Sequence, residues 1–132
     1  MTSATRKPKS PLLTRLRRYC LSLPGTSEVG AWGHPNFRVA GRAFAVYEFY
    51  RGRPSIAVKS DLDLQEILIE DQRFFRTPYL GQHGWVSLWA DQPLQWEMVK
   101  DLVMGSYRRV TPGPSSRRDR SGATPRGRKS RL

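Results

Sequence analysis

The sequence predicts a two-layer α+β domain: a helix, three strands, a second helix, two strands and a last helix, with the helices on one face of a five-stranded antiparallel sheet. Three observations carry this expectation. Apolar residues recur at helical spacing in three places and fall into strand-like runs between them. Short Gly-containing turn signals join those runs, which makes neighbouring strands antiparallel. The 4 Trp, 5 Tyr and 5 Phe all lie between Tyr19 and Tyr107. The core-forming residues thus occupy one segment, of the ~100–150 residues usual for a single domain.

The first helix is expected to open at Ser10-Pro11, a capping serine followed by a proline at the first helical position. Leu12, Leu13, Leu16, Tyr19, Cys20 and Leu23 then share a face, with Arg15, Arg17 and Arg18 on the other side, and Pro24-Gly25 ends the helix. A loop with Trp32-Gly33-His34-Pro35 follows. Phe37 to Val39, Arg42 to Tyr50 and Ser55 to Ser60 read as three strands of a meander, joined at Ala40-Gly41 and Arg51-Gly52-Arg53. Asp61 or Asp63 caps the second helix, and Asp63 with Glu66 has capping-box spacing. Leu64, Ile67 and Leu68 are expected to face inward, with Phe74 and Phe75 plugging the core. Thr77 to Leu80 and Trp85 to Ala90 read as a second hairpin about Gly81-Gln82-His83-Gly84. Pro93 starts the last helix, with Leu94, Met98, Leu102 and Val103 on one face, ending near Val110.

The net charge of +12 points to a polyanionic partner. Its distribution narrows that reading. Nine of the twelve charges lie in residues 1–10 and 111–132, outside the expected domain of residues 11–110. Both flanks lack apolar periodicity and read as disordered basic tails. The C-terminal one carries Arg117, Arg118, Arg120, Arg126, Arg128 and Lys129. Such segments bind any polyanion in a salt-dependent way, so charge alone does not separate DNA from RNA or an anionic membrane; they also fit plain solubilising extensions. The single cysteine excludes an internal disulfide and fits a reducing cytoplasm. No run approaches the ~18 apolar residues of a membrane span, and the basic N-terminus lacks the apolar stretch of a signal peptide.

Several phrases, in this order and spacing, resemble the YjbR-like (MmcQ/YjbR) family of small bacterial proteins. They are Leu23-Pro24-Gly25-Thr26, the stretch from Trp32 to Val39, Phe44-Ala45, the stretch from Phe75 to Leu80, Gly84-Trp85-Val86-Ser87-Leu88 and Ser106-Tyr107. The resemblance covers roughly residues 12–110. It implies a two-layer α+β domain with a five-stranded sheet. It also implies DNA binding through a double-wing arrangement in which sheet and hairpins meet the duplex. Fold likeness by itself leaves function open.

The residues offer these candidates. Arg38 and Arg42 flank one hairpin turn, Arg51 and Arg53 the other, and both pairs can reach phosphates or simply stay solvated. Successive meander turns lie at opposite ends of the sheet, roughly 25–30 Å apart for a strand of this length. On the face away from the helices, Trp85, Trp89, Tyr47 and Lys59 are expected to form an outward cluster that stacks bases, grips a protein or is covered structurally. His34 and His83 lack partners at metal-ligand spacing. Glu70-Asp71 point apart on a helix. Cys20 reads as an inert core thiol. No nucleophile–base pair, metal set or phosphate loop is visible, and no cofactor is implied. The expectation is a non-enzymatic, cytoplasmic DNA-binding protein. The rival reading is a protein-interaction module using the aromatic sheet face, with the tails incidental.

Overall fold

The computed structural model describes residues 11–31 and 34–112. The elements are α1 (Pro11–Ser22), β1 (Thr26–Ala31), β2 (His34–Val39), β3 (Arg42–Tyr50), β4 (Arg53–Lys59), α2 (Leu62–Leu68), β5 (Phe74–Arg76), β6 (Trp85–Trp89) and α3 (Trp96–Val110). The class is α+β, with six strands in the order β1-β2-β3-β4-β6-β5, all neighbours antiparallel. The expected capping residue Ser10 and both expected tails lie outside the described residues.

The sixth strand is β1, in a segment the sequence predicts as loop. Its residues, Thr-Ser-Glu-Val-Gly-Ala, show no clear apolar alternation, and Val29 is exposed. An edge strand needs one paired side only, and β2 supplies it by closing back across Ala31 and His34. The expected strand at Thr77–Leu80 is also corrected. The ladder there is Phe74–Arg76 against Val86–Leu88, and the chain then turns. Pro78 has no N–H to offer a ladder, and Tyr79 takes a left-handed φ of 69°.

The main core lies between the sheet and the helices. Leu16 and Cys20 of α1 and Val99, Val103 and Val110 of α3 meet the strand residues Phe37, Phe44, Ile56, Val58, Val86 and Leu88. Leu68 and Leu102, expected in this cluster, pack against it half-buried. A bulge between Phe37 and Arg38 and the facing strand gives β3 one extra residue. Phe44 and Ala45 therefore both face the helices, and so does Tyr47, which is 7% exposed in the main core. Strict alternation had placed Tyr47 outside; the bulge overturns that.

On α2, Asp61 is the N-cap and accepts from the Leu64 amide at 2.7 Å, so the Asp63–Glu66 capping box does not form. The buried residue of α2 is Gln65, while Ile67 is 65% exposed. Gln65 Nε2 donates to the carbonyls of Gly81 and Trp85, both at 2.8 Å. Each carbonyl also accepts a backbone N–H, Gly81 from Gly84 at 3.0 Å and Trp85 from Thr77 at 3.4 Å, so Gln65 adds a second donor to each and ties α2 to the turn after β5. Gly84 closes that turn at φ 91°; a Cβ there would stand 2.3 Å from the Ser60 carbonyl oxygen. The last helix starts at Trp96 rather than Pro93, with Gln95 as N-cap.

Ser106 joins α3 to the sheet. Its hydroxyl donates to the Phe44 carbonyl at 2.6 Å and accepts from the Lys59 amide at 2.9 Å. It is fully buried. Ser106→Ala leaves both backbone groups unpaired, and the expected loss is about 1–3 kcal/mol. Urea unfolding measures it; a loss below about 0.3 kcal/mol would show that these groups find other partners. A second expectation concerns Cys20. Burial, with a smaller contribution from Glu28, pushes its thiol up to about 12. At pH 8 the folded protein should react with a thiol reagent only as fast as it unfolds, so labelling should speed up with urea. Native-state labelling at the rate of a free cysteine would contradict this.

Candidate nucleic-acid interface

Both hairpin turns place two residues at positive φ, Ala40 and Gly41 in one and Arg51 and Gly52 in the other. These are the backbone angles of the tight turns that suit twisted strands. They sit at opposite ends of β3, so the four candidate arginines form two separate pairs.

At the Arg51 end the cations are engaged. Arg53 forks onto Asp91 through two hydrogen bonds of 2.7 and 3.0 Å. Its guanidinium also lies 3.8 Å from the centre of the Trp89 ring. Phe75 stacks on Trp89 at 4.2 Å. Two partners this close to one ring centre occupy its two faces, so Trp89 has no face left for a base. Tyr50 extends the stack through Phe75 at 5.2 Å, and Arg51 lies 5.1 Å from the Tyr50 ring centre. Nearby, Arg73 holds the Asp71 carboxyl down at about 2 through its side-chain and backbone hydrogen bonds. A cleft of about 580 Å³ opens between Arg53, Arg73, Trp89, Gln72 and Gln92. Its arginines already carry their own aspartates.

The Ala40-Gly41 end is different. Arg38 bonds Asn36 Oδ1 at 3.1 Å and the Gly41 carbonyl at 3.2 Å, which fixes its guanidinium without neutralising it. Arg42 is exposed at the start of β3. Lys59 Nζ donates to the His83 carbonyl at 2.8 Å. The end of α3 reaches the same place, since Ser106 bonds Phe44 and Lys59, and Tyr107 bonds the Pro24 carbonyl. Arg108 is exposed there. Arg109 pairs with Asp61 at 3.3 Å. Among the described residues, Arg38, Arg42, Lys59 and Arg108 have no carboxylate partner. The nearby acids are Asp61, taken by Arg109, and Asp63 on the first turn of α2.

The expected outward aromatic cluster divides. Trp85 and Trp89 are on the outer face, but Trp85 is 7% exposed and packs with Val46, Ala57 and Ala43. Tyr47 is on the other face. Lys59 is next to Trp85 across β4 and β6. The stack that does form, Tyr50–Phe75–Trp89, follows from the β4–β6–β5 pairing, which brings Phe75 opposite Ser87. Half-buried Glu48 is on this face as well; burial pushes its carboxyl up, and His34 opposes that. His34 and His83 lie apart: His34 meets the edge of Phe49 at 6.4 Å, and His83 offers its carbonyl to Lys59. Arg117, Arg118, Arg120, Arg126, Arg128 and Lys129 lie outside the described residues.

Sequence reasoning passed over Arg108, Asp91 and Tyr79. Tyr79 is 93% exposed in the turn after β5. Its signal was Pro78: a proline followed by a turn position that favours glycine, occupied instead by tyrosine.

A family model described as YjbR matches residues 21–109. The Escherichia coli (strain K12) protein YjbR is 24% identical over 101 residues, covering 74% of this chain and 86% of that protein. Among solved structures, a Deinococcus radiodurans protein with a DUF419 domain matches with a TM-score of 0.67 at 23% identity, over 80% of this chain and 84% of that one. A Pseudomonas syringae protein matches with a TM-score of 0.63 at 13% identity, over 74% and 97%. At these identities the structural likenesses bear on the fold.

Proposed function

The chain belongs to the YjbR family, and from that footing we propose that it is a non-enzymatic DNA-binding protein whose Ala40-Gly41 end contacts the phosphate backbone. One observation carries the reading: four described cations without carboxylate partners, Arg38, Arg42, Lys59 and Arg108, belong to that end, while Arg53 and Arg73 of the other end are paired and Arg51 lies against Tyr50; Arg15 and Arg18, also without a carboxylate, are on α1. A paired guanidinium contributes little field at a distance; an unpaired one remains available to a phosphate. The described chain also leaves α3 at this end. The resemblance noted in the sequence implies DNA as the polyanion, and the charge arrangement is compatible with it.

The double-wing picture changes in one respect. Two equivalent arginine tips would require a duplex lying along the sheet. The pairing of Arg53 with Asp91 leaves only Arg51 at the second tip, so we assign the main contact to one end. The outer aromatic face supports the rival protein-interaction reading less well, since Trp85 is buried and both faces of Trp89 are taken.

Each phosphate contact contributes ~0.9 to the log–log dependence of duplex affinity on salt. The full-length chain carrying Arg38→Ala and Arg42→Ala should therefore bind a 20-base-pair duplex more weakly, with the slope reduced by about 2. The pair Arg51→Ala and Arg53→Ala should change the slope by less than about 1. Fluorescence anisotropy over a salt series reads both. A wild-type chain that binds no duplex at low salt would remove the DNA reading and favour a protein partner. A larger loss from the Arg51/Arg53 pair would place the contact at the wrong end.

A further inference from the structure

The turn after β5 belongs to the same basic end. Thr77 donates its backbone N–H to Trp85, and Trp85 pairs with Lys59. Lys59 in turn holds the His83 carbonyl. The turn therefore projects beside Lys59, about three strand spacings, or about 15 Å, from the Ala40-Gly41 tip.

Tyr79 stands out within it. At φ 69° it occupies a conformation in which a bulky side chain is an outlier. The turn that imposes this angle is tightly bonded. The Leu80 amide donates to Pro78 and the Gly81 amide to Thr77, both at 2.8 Å. Its carbonyl also accepts from Gln82 Nε2 at 3.4 Å. Glycine or asparagine would fit this position with less strain. The strain gives the fold no packing in return, because the side chain is almost fully exposed. The result is an aromatic ring held outward on a rigid turn, beside Lys59 and about 15 Å from the tip that carries Arg38 and Arg42.

We propose that Tyr79 is a base-contacting residue, and that the preferred ligand is DNA carrying an unpaired base. This rests on the reading of the Ala40-Gly41 end as the phosphate contact. Phosphates lie along Arg38, Arg42 and Lys59, and the phenol ring stacks on a base that is out of the helix. In an intact duplex every base is stacked on its neighbours, and the ring gains nothing there. A bulged or single-stranded base offers an open π-face at no further unstacking cost.

The test uses the full-length chain and two DNA probes of equal length, an intact duplex and one with a single bulged base. Wild type should bind the bulged probe about tenfold more tightly, the scale of one base–aromatic stack. Tyr79→Phe should keep the preference. Tyr79→Gly should lose it, with an unchanged salt slope on the intact duplex. Glycine relaxes the strained angle, so its melting temperature should not fall below wild type, and lost binding then reflects the lost ring. Equal wild-type affinity for the two probes, or a preference that survives Tyr79→Gly, overturns the assignment and leaves the phosphate reading in place. No binding of either probe at low salt overturns both.

Discussion

A single hydroxyl stands where a rung of the sheet would otherwise be. Counting back from the tight turn at Arg51-Gly52, the hydrogen-bonded pairs of β3 and β4 recur every second residue, and the last of them would join Phe44 to Lys59. The bulge at Phe44 removes that pairing, and Ser106 Oγ bridges the two groups instead. The arrangement does three things at once. It satisfies two buried backbone groups. It turns Phe44 as well as Ala45 toward the helices, enlarging the core. It also pins the C-terminal part of α3 to the end of the sheet, which brings Arg108 to the same end as Lys59 and the Arg38–Arg42 hairpin.

Charge in this molecule is sorted by pairing more than by count. The described domain holds only slightly more bases than acids, yet its ion pairs are unevenly placed. Exposed pairs of this kind add little stability. Their larger effect here is local neutralisation. Arg53 and Arg73 lie at one end with Asp91 and Asp71, and the field there is largely cancelled. At the other end hydrogen bonds to carbonyl and carboxamide oxygens orient Arg38 and Lys59 and leave their charge intact. A side chain that is held yet still charged is preorganised for an anion, since less side-chain entropy is lost on contact.

Much of the fold was legible in the sequence. The three helices, the meander and the bounds of β3 follow from periodicity and from glycine-marked turns. What was not legible depends on partners distant in the chain. β1 lacks an apolar pattern because an edge strand facing solvent does not need one. The bulge is a property of how β2 meets β3, so Tyr47 was assigned to the wrong face. Gln65, and not Ile67, is the buried residue of α2, where its carboxamide bonds two carbonyls 16 and 20 residues further along the chain. The candidate site shows the same division. The arginines at the turns could be named, since Gly41 and Gly52 mark the turns. Which of them remain free could not, because Asp91 is 38 residues from Arg53. The outward position of Trp85 and Trp89 was correct, and their availability was not: Ala57, Val46, Phe75 and Arg53 reach them only once the sheet has closed.

The bridging hydroxyl also has a bearing on how the protein is made. Phe44 and Ser106 are 62 residues apart. At translation rates of ~5–20 residues per second, the bulged strand waits roughly 3–12 s for the residue that completes it. During that interval β3 and β4 can pair along most of their length, since their turn is local, but the final rung has no bridge and Phe44 lacks Tyr107 and the rest of α3. The nascent sheet is thus open at one end and closed at the other, and the open end is the one that later carries the free cations. The part that seals it is α3, the last of the described helices.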